Sequence, residues 1–154
     1  MPQLARRRRR SAFVATTKRE IRPEIETTKQ LAARRQITAA IEHLHKREYE
    51  CAITLAAAAE GLLPPTDEPH IFSDLKEYLL PEEFTDLDFN VVVNWLKHYK
   101  PQDPDPFSIP EAEGVDLIMR AITKFIAVYH QSTKQMEAFM ELASNRYGYP
   151  VPSR

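Results

Sequence analysis

Tyr49–Leu63, Y-E-C-A-I-T-L-A-A-A-A-E-G-L-L, is apolar almost all the way round a helical wheel from Cys51 to Ala59. A helix with so little wet face is expected to lie centrally in a bundle. Its alanines let neighbouring helices come close, and Gly61 with Pro64-Pro65 supplies the stop. Glu60 is the one late charge. A carboxylate near a helix C-terminus sits unfavourably against the macrodipole, so it needs a partner or water.

The segments on either side of this helix repeat its pattern. Upstream, Thr27 or Thr28 caps a helix in which Ala33, Ile37, Ile41 and Leu44 fall on one stripe, with Arg35, Glu42 and Lys46 opposite. Downstream, H-I-F-S-D-L-K-E-Y-L-L from His70 predicts a shorter helix with Ile71, Phe72, Leu75, Tyr78 and Leu79 inward, ended by Pro81. The next helix, Leu87 to Tyr99, gathers Leu87, Val91, Trp95, Tyr99, Val92, Leu96 and Phe89 into one apolar arc, with Asn90 and Lys97 pointing away. Asn94 and His98, four apart and so on one face, border that arc.

Four prolines between Pro101 and Pro110 exclude a helix there. A long helix from Glu111 to about His130 follows. It has Leu117, Ile118, Ala121, Ile122, Phe125, Ile126, Val128 and Tyr129 on one broad face and Asp116, Arg120 and Lys124 opposite. A last helix runs from about Lys134 to Asn145, with Met136, Phe139, Met140 and Leu142 inward. Strand alternation and internal repeats are absent from the pattern, and there are only three glycines. The fold expected is therefore all-α, an up-and-down bundle of five or six helices.

The chain has 154 residues, 43% of them hydrophobic, which suits one domain with one core. The organisation expected is a disordered basic arm at 1–22, a helical domain at 23–146 and a loose tail at 147–154. The arm carries eight basic residues, including Arg6, Arg7, Arg8, Arg9 and Arg10, against Glu20 alone, a net +7. The rest carries thirteen basic and twenty-one acidic residues, a net −8 that repels phosphate backbones on average. A nucleic-acid role is therefore easiest to place on the arm.

A single cysteine, Cys51, excludes an internal disulfide framework and agrees with a reducing compartment. No run approaches the ~18 apolar residues of a membrane span, and the stretch after the arginines is too short and polar for a signal-peptide core. We therefore expect a cytoplasmic protein without a membrane role. Glu42-x-x-His45 has the spacing of one half of a di-metal site, but it has no second copy, so no metal is expected. There is no nucleophile elbow and no phosphate or dinucleotide loop, so no small-molecule cofactor is expected either.

A small-residue helix ending A-A-A-A-E60-G-L-L, a later helix with N94-W-L-K-H98, and a Pro/Asp loop leading into a long helix together resemble the HEPN superfamily, and bacterial helical proteins of that type in particular. The likeness spans roughly residues 27 to 129. It implies a homodimer through the region of Asn94 and His98, with an RNA or a protein as partner, within a stress or defence system. Catalytic members place an Arg before a polar residue and a His one turn later. Asn94 matches the polar position and His98 the histidine, while Val93 stands where the Arg belongs.

In the reaction that the resemblance implies, a 2′-hydroxyl attacks the adjacent phosphate, with His as acid or base and Arg stabilising the phosphoryl charge. Val93 cannot do the second. The expectation is thus a non-catalytic binding or regulatory module, with two alternatives: a weak metal-independent endoribonuclease using His98 and Asn94, supported by Lys97 or the arm, or a purely structural interaction domain. Glu60 is a candidate partner for the Asn94/His98 pair.

Overall fold

The computed structural model describes residues 23–70 and 90–149. Among them are five helices and no strand, so the chain is an all-α bundle. The helices are α1 (Lys29–His45), α2 (Tyr49–Leu62), α3 (Val91–Lys97), α4 (Glu111–Tyr129) and α5 (Lys134–Tyr147). The arginine arm, the helix expected after His70 and its acidic link, the start of the following helix and the last five residues lie outside the described residues.

Each boundary has a local cause. Thr28 starts α1, its Oγ1 accepting the Leu31 N–H at 3.1 Å, and Thr133 starts α5 by accepting the Met136 N–H at 3.2 Å. Three residues, Lys46 to Glu48, turn the chain between α1 and α2, with Arg47 at φ 62°. Gly148, at φ 73°, closes α5 in the left-handed conformation that glycine adopts without steric cost. The last helix therefore runs two residues beyond the expected Asn145.

α2 packs on α1, α4 and α3, while α4 also meets α1 and α5. The core is built from Ile37, Ile53, Leu117, Ile118, Ile122, Phe125 and Met136, all buried. At Gly114 the bundle is tightest, because a Cβ there would stand 2.5 Å from Leu44 Cδ1. The missing side chain lets α4 approach α1 at that level.

The most enclosed helix is α4 rather than α2. Eleven of nineteen residues of α4 are buried, against five of fourteen in α2. α2 is nonetheless central, packing on three other helices, and its exposed Thr54 turns back to donate to the Glu50 carbonyl at 2.7 Å. Enclosure of α4 also overturns the expectation that Arg120 lies on a wet face. It is 5% exposed.

The inward face of α3 differs too. Val92 and Val93 are buried and Leu96 packs against the core, whereas Val91 is 49% exposed and Tyr99 92%. Val92, Leu96 and Val93 fall within about 100° of one another on the wheel, so this narrow arc is the one that meets α2. Tyr99 leaves the arc because the helix stops at Lys97. On α5, Leu142 is exposed rather than inward, and Met136, Phe139 and Ala143 do the packing.

Candidate functional site

Two polar regions lie near α3, and the residues expected to work together are divided between them. The first is the exposed end of the helix. His98 is the residue at which α3 ends; its backbone is extended (φ −131°, ψ 123°), its N–H donates to the Asn94 carbonyl at 3.0 Å and its side chain is exposed. Asn94 is half-buried within the helix. The helical i to i+4 backbone bond thus reaches His98, the residue at which the backbone turns extended. Lys97 is exposed beside it.

Beyond His98 the proline-rich loop folds back over Trp95. The indole N–H donates to the Pro104 carbonyl at 2.8 Å, and the indole stacks on Phe107 with centroids 5.1 Å apart and planes 20° apart. These contacts strap the loop to α3. Trp95, Lys97, His98, Tyr99, Lys100 and Asp103 line a shallow depression of about 330 Å³ between helix and strap.

The second region is buried. Arg120 on α4 reaches Glu60 at the end of α2 through two hydrogen bonds, Nε to Oε1 at 3.3 Å and Nη2 to Oε2 at 2.8 Å. Asn90, at the start of α3, accepts from the same guanidinium at Oδ1, 3.4 Å from Nη1 and 3.3 Å from Nη2. Lys124 Nζ donates to the Glu60 backbone carbonyl at 3.3 Å. Both cations thus serve the C-terminal end of α2, where carbonyls are exposed and negative charge collects.

Asp116, one turn before Arg120, has its carboxyl pushed up from 3.8 to about 6 by burial and by the Glu113 carboxylate, against the pull of Arg120. It is the one carboxylate whose surroundings disfavour its charge to this degree among the described residues. No group of three or more His, Cys, Asp or Glu side chains among those residues is placed to hold a metal ion.

Of the residues singled out from the sequence, Glu60 has a partner, and that partner is Arg120. Arg120 and Asn90 were both read as outward-facing. The signal available was the anomaly of Glu60 itself: a carboxylate at the C-terminus of an apolar helix calls for a cation, and α4 carries the cations at helical spacing, Arg120 and Lys124. Val93, at the position of the arginine in the HEPN pattern, is 5% exposed in the core. Arg6 to Arg10 lie outside the described residues.

Comparison with protein-family models, curated proteins and solved structures finds no match. No helix among the described residues is long and apolar enough to cross a membrane.

Proposed function

We propose that the chain is a non-catalytic, HEPN-like helical binding or regulatory module that works as a cytoplasmic homodimer. The observation that carries this reading is the burial of Val93, with His98 outside the helix on exposed, extended backbone. Phosphodiester cleavage needs an acid or base and a cation converging on one phosphate. Arg120, which bonds Asn90 at the start of α3, is held in a buried pair with Glu60 and does not present its charge at the surface.

One observation favours the alternative of a weak endoribonuclease. His98 is exposed in a depression shared with Lys97 and Lys100, so an acid–base group and two cations are within one surface feature. The two readings separate in one assay. Full-length protein is incubated with single-stranded RNA in the presence of a metal chelator, alongside His98→Ala. The expected result is no cleavage above the buffer control for either. Cleavage by the parent that His98→Ala abolishes, with the helical content of the variant unchanged, overturns the non-catalytic reading.

A further inference from the structure

A depression of about 240 Å³ opens where the start of α1 meets the loop between α4 and α5. Arg34 is its only charged lining residue, and Arg34 has no ion-pair or hydrogen-bond partner among the described residues. The surroundings have the same sign. Residues 29–41 carry Lys29, Arg34 and Arg35 without an acid, and residues 130–136 carry Lys134 without one, on a body whose net charge outside the arm is −8. The Glu137 carboxylate, which accepts from the Ser132 hydroxyl at 2.6 Å, is not part of the lining.

The hydrogen bonds already made in the wall decide which ligand chemistry is left. The Thr28 and Thr133 hydroxyl oxygens accept the Leu31 and Met136 N–H groups, so each hydroxyl keeps its own hydrogen to donate. Gln131 Oε1 accepts from Gln30 Nε2 at 3.2 Å, which leaves the Gln131 NH2 group as a donor. The side-chain acceptors that remain, Gln30 Oε1 and Ser132 Oγ, are neutral. A cation therefore meets no opposite charge here, whereas an oxyanion meets a guanidinium and three neutral donors. Because Thr28 and Thr133 cap α1 and α5, the two helix dipoles add a field of the same sign.

We infer that this depression binds the phosphate head of a small phosphate monoester. Such a group carries about −1.5 to −2 charges at neutral pH and three strong acceptor oxygens, more of both than a carboxylate. That suits donors set on two sides, Thr28 and Arg34 on α1 against Gln131 and Thr133 across the depression. Leu31 and Phe125 supply an apolar wall for the carbon part of the ester. The site takes no residue from α3, so it rests on neither reading of that helix.

Nuclear magnetic resonance titration of the isotopically labelled full chain with inorganic phosphate and with phenyl phosphate tests this, in about 150 mM salt to screen the arm. The Gln131 side-chain NH2 signal and the Ser132 and Thr133 amide signals are expected to shift together and saturate with a Kd of about 1 mM for inorganic phosphate, and at least about threefold lower for phenyl phosphate. Arg34→Gln is expected to raise both constants at least about tenfold, as loss of a charge-assisted hydrogen bond does. Arg35→Gln removes the same charge from a residue outside the lining, and is expected to leave them within about threefold. Both arginines are exposed, so both variants keep their fold, which circular dichroism checks. Signals that stay in place up to about 20 mM of either probe overturn the inference. Equal losses from Arg34→Gln and Arg35→Gln also overturn it, by reducing the effect to general charge. Phenyl phosphate that binds no more tightly than inorganic phosphate overturns the monoester assignment.

Discussion

Removing one member of the Glu60–Arg120 pair is the most informative perturbation of the fold. Arg120 is 5% exposed and Glu60 9%, and two hydrogen bonds join them. Glu60→Met removes both hydrogen bonds that Glu60 accepts from this buried guanidinium, and breaking such a pair from one side costs about 3–5 kcal/mol. The same change relieves a carboxylate at the wrong end of the α2 dipole, but that relief is only about 0.5 kcal/mol. The pair therefore decides the sign.

In a domain of this size each kcal/mol moves Tm by about 2–4 °C, so Glu60→Met is expected to lower Tm by about 6–20 °C. Arg120→Met should fall in the same range. The double replacement removes both charges and fills the space with apolar side chains of similar length, so it should return to within about 1 kcal/mol of the parent. Urea denaturation followed by far-UV circular dichroism measures all four corners of the cycle. Single variants within about 0.5 kcal/mol of the parent, or single costs that simply add in the double variant, would refute the reasoning.

Asp116 should make stability depend on pH. Its folded pKa of about 6 lies above the ordinary 3.8, so its contribution to stability is fully present below the lower value and is lost as pH rises through the upper. The whole shift is worth ~3 kcal/mol, which screening at this partly exposed site reduces to about 1–2 kcal/mol. Asp116→Asn should therefore be more stable than the parent by that amount near neutral pH, with the gain fading in acid, as paired urea titrations across pH will record. Thr28→Ala removes the acceptor for the Leu31 N–H and should cost about 1 kcal/mol, read as a Tm drop of about 2–4 °C. Trp95→Phe keeps the stack on Phe107 but loses the donor to Pro104, about 1 kcal/mol, and should speed tryptic cleavage after Lys97 while leaving the bundle intact.

What could be read from the sequence follows from what a helical wheel contains. The Thr28 cap, the stripe of Ala33, Ile37, Ile41 and Leu44, and the apolar side of α4 are local patterns, and the structure has each of them. Arg120 was misplaced because a wheel ranks the positions of one helix against each other, whereas burial depends on how many neighbours surround it. α4 is enclosed on more than one side, so a residue on its less apolar face is still inside. Tyr99 and Val91 differ for another reason: a wheel continued through His98 and Tyr99 runs two residues past the end of α3, and the added Tyr99 draws its apparent apolar centre away from Val92 and Val93. For the candidate site, the neighbours Asn94, Lys97 and His98 are legible in the sequence, but the end of α3 at Lys97 is not. Glu60 was rightly read as needing a partner or water, and no local rule could name a residue sixty positions away.

The strap across Trp95 has a consequence for how this protein is observed. Trp95 is the chain's only tryptophan. Its indole is bonded to a loop carbonyl and stacked on a loop phenylalanine. Emission excited at the red edge of protein absorption therefore reports on one short helix and one loop, while the far-UV signal is dominated by α1, α2, α4 and α5. If the strap releases before the bundle unfolds, the two transitions will not coincide, and the gap between them measures the local opening free energy of this surface directly.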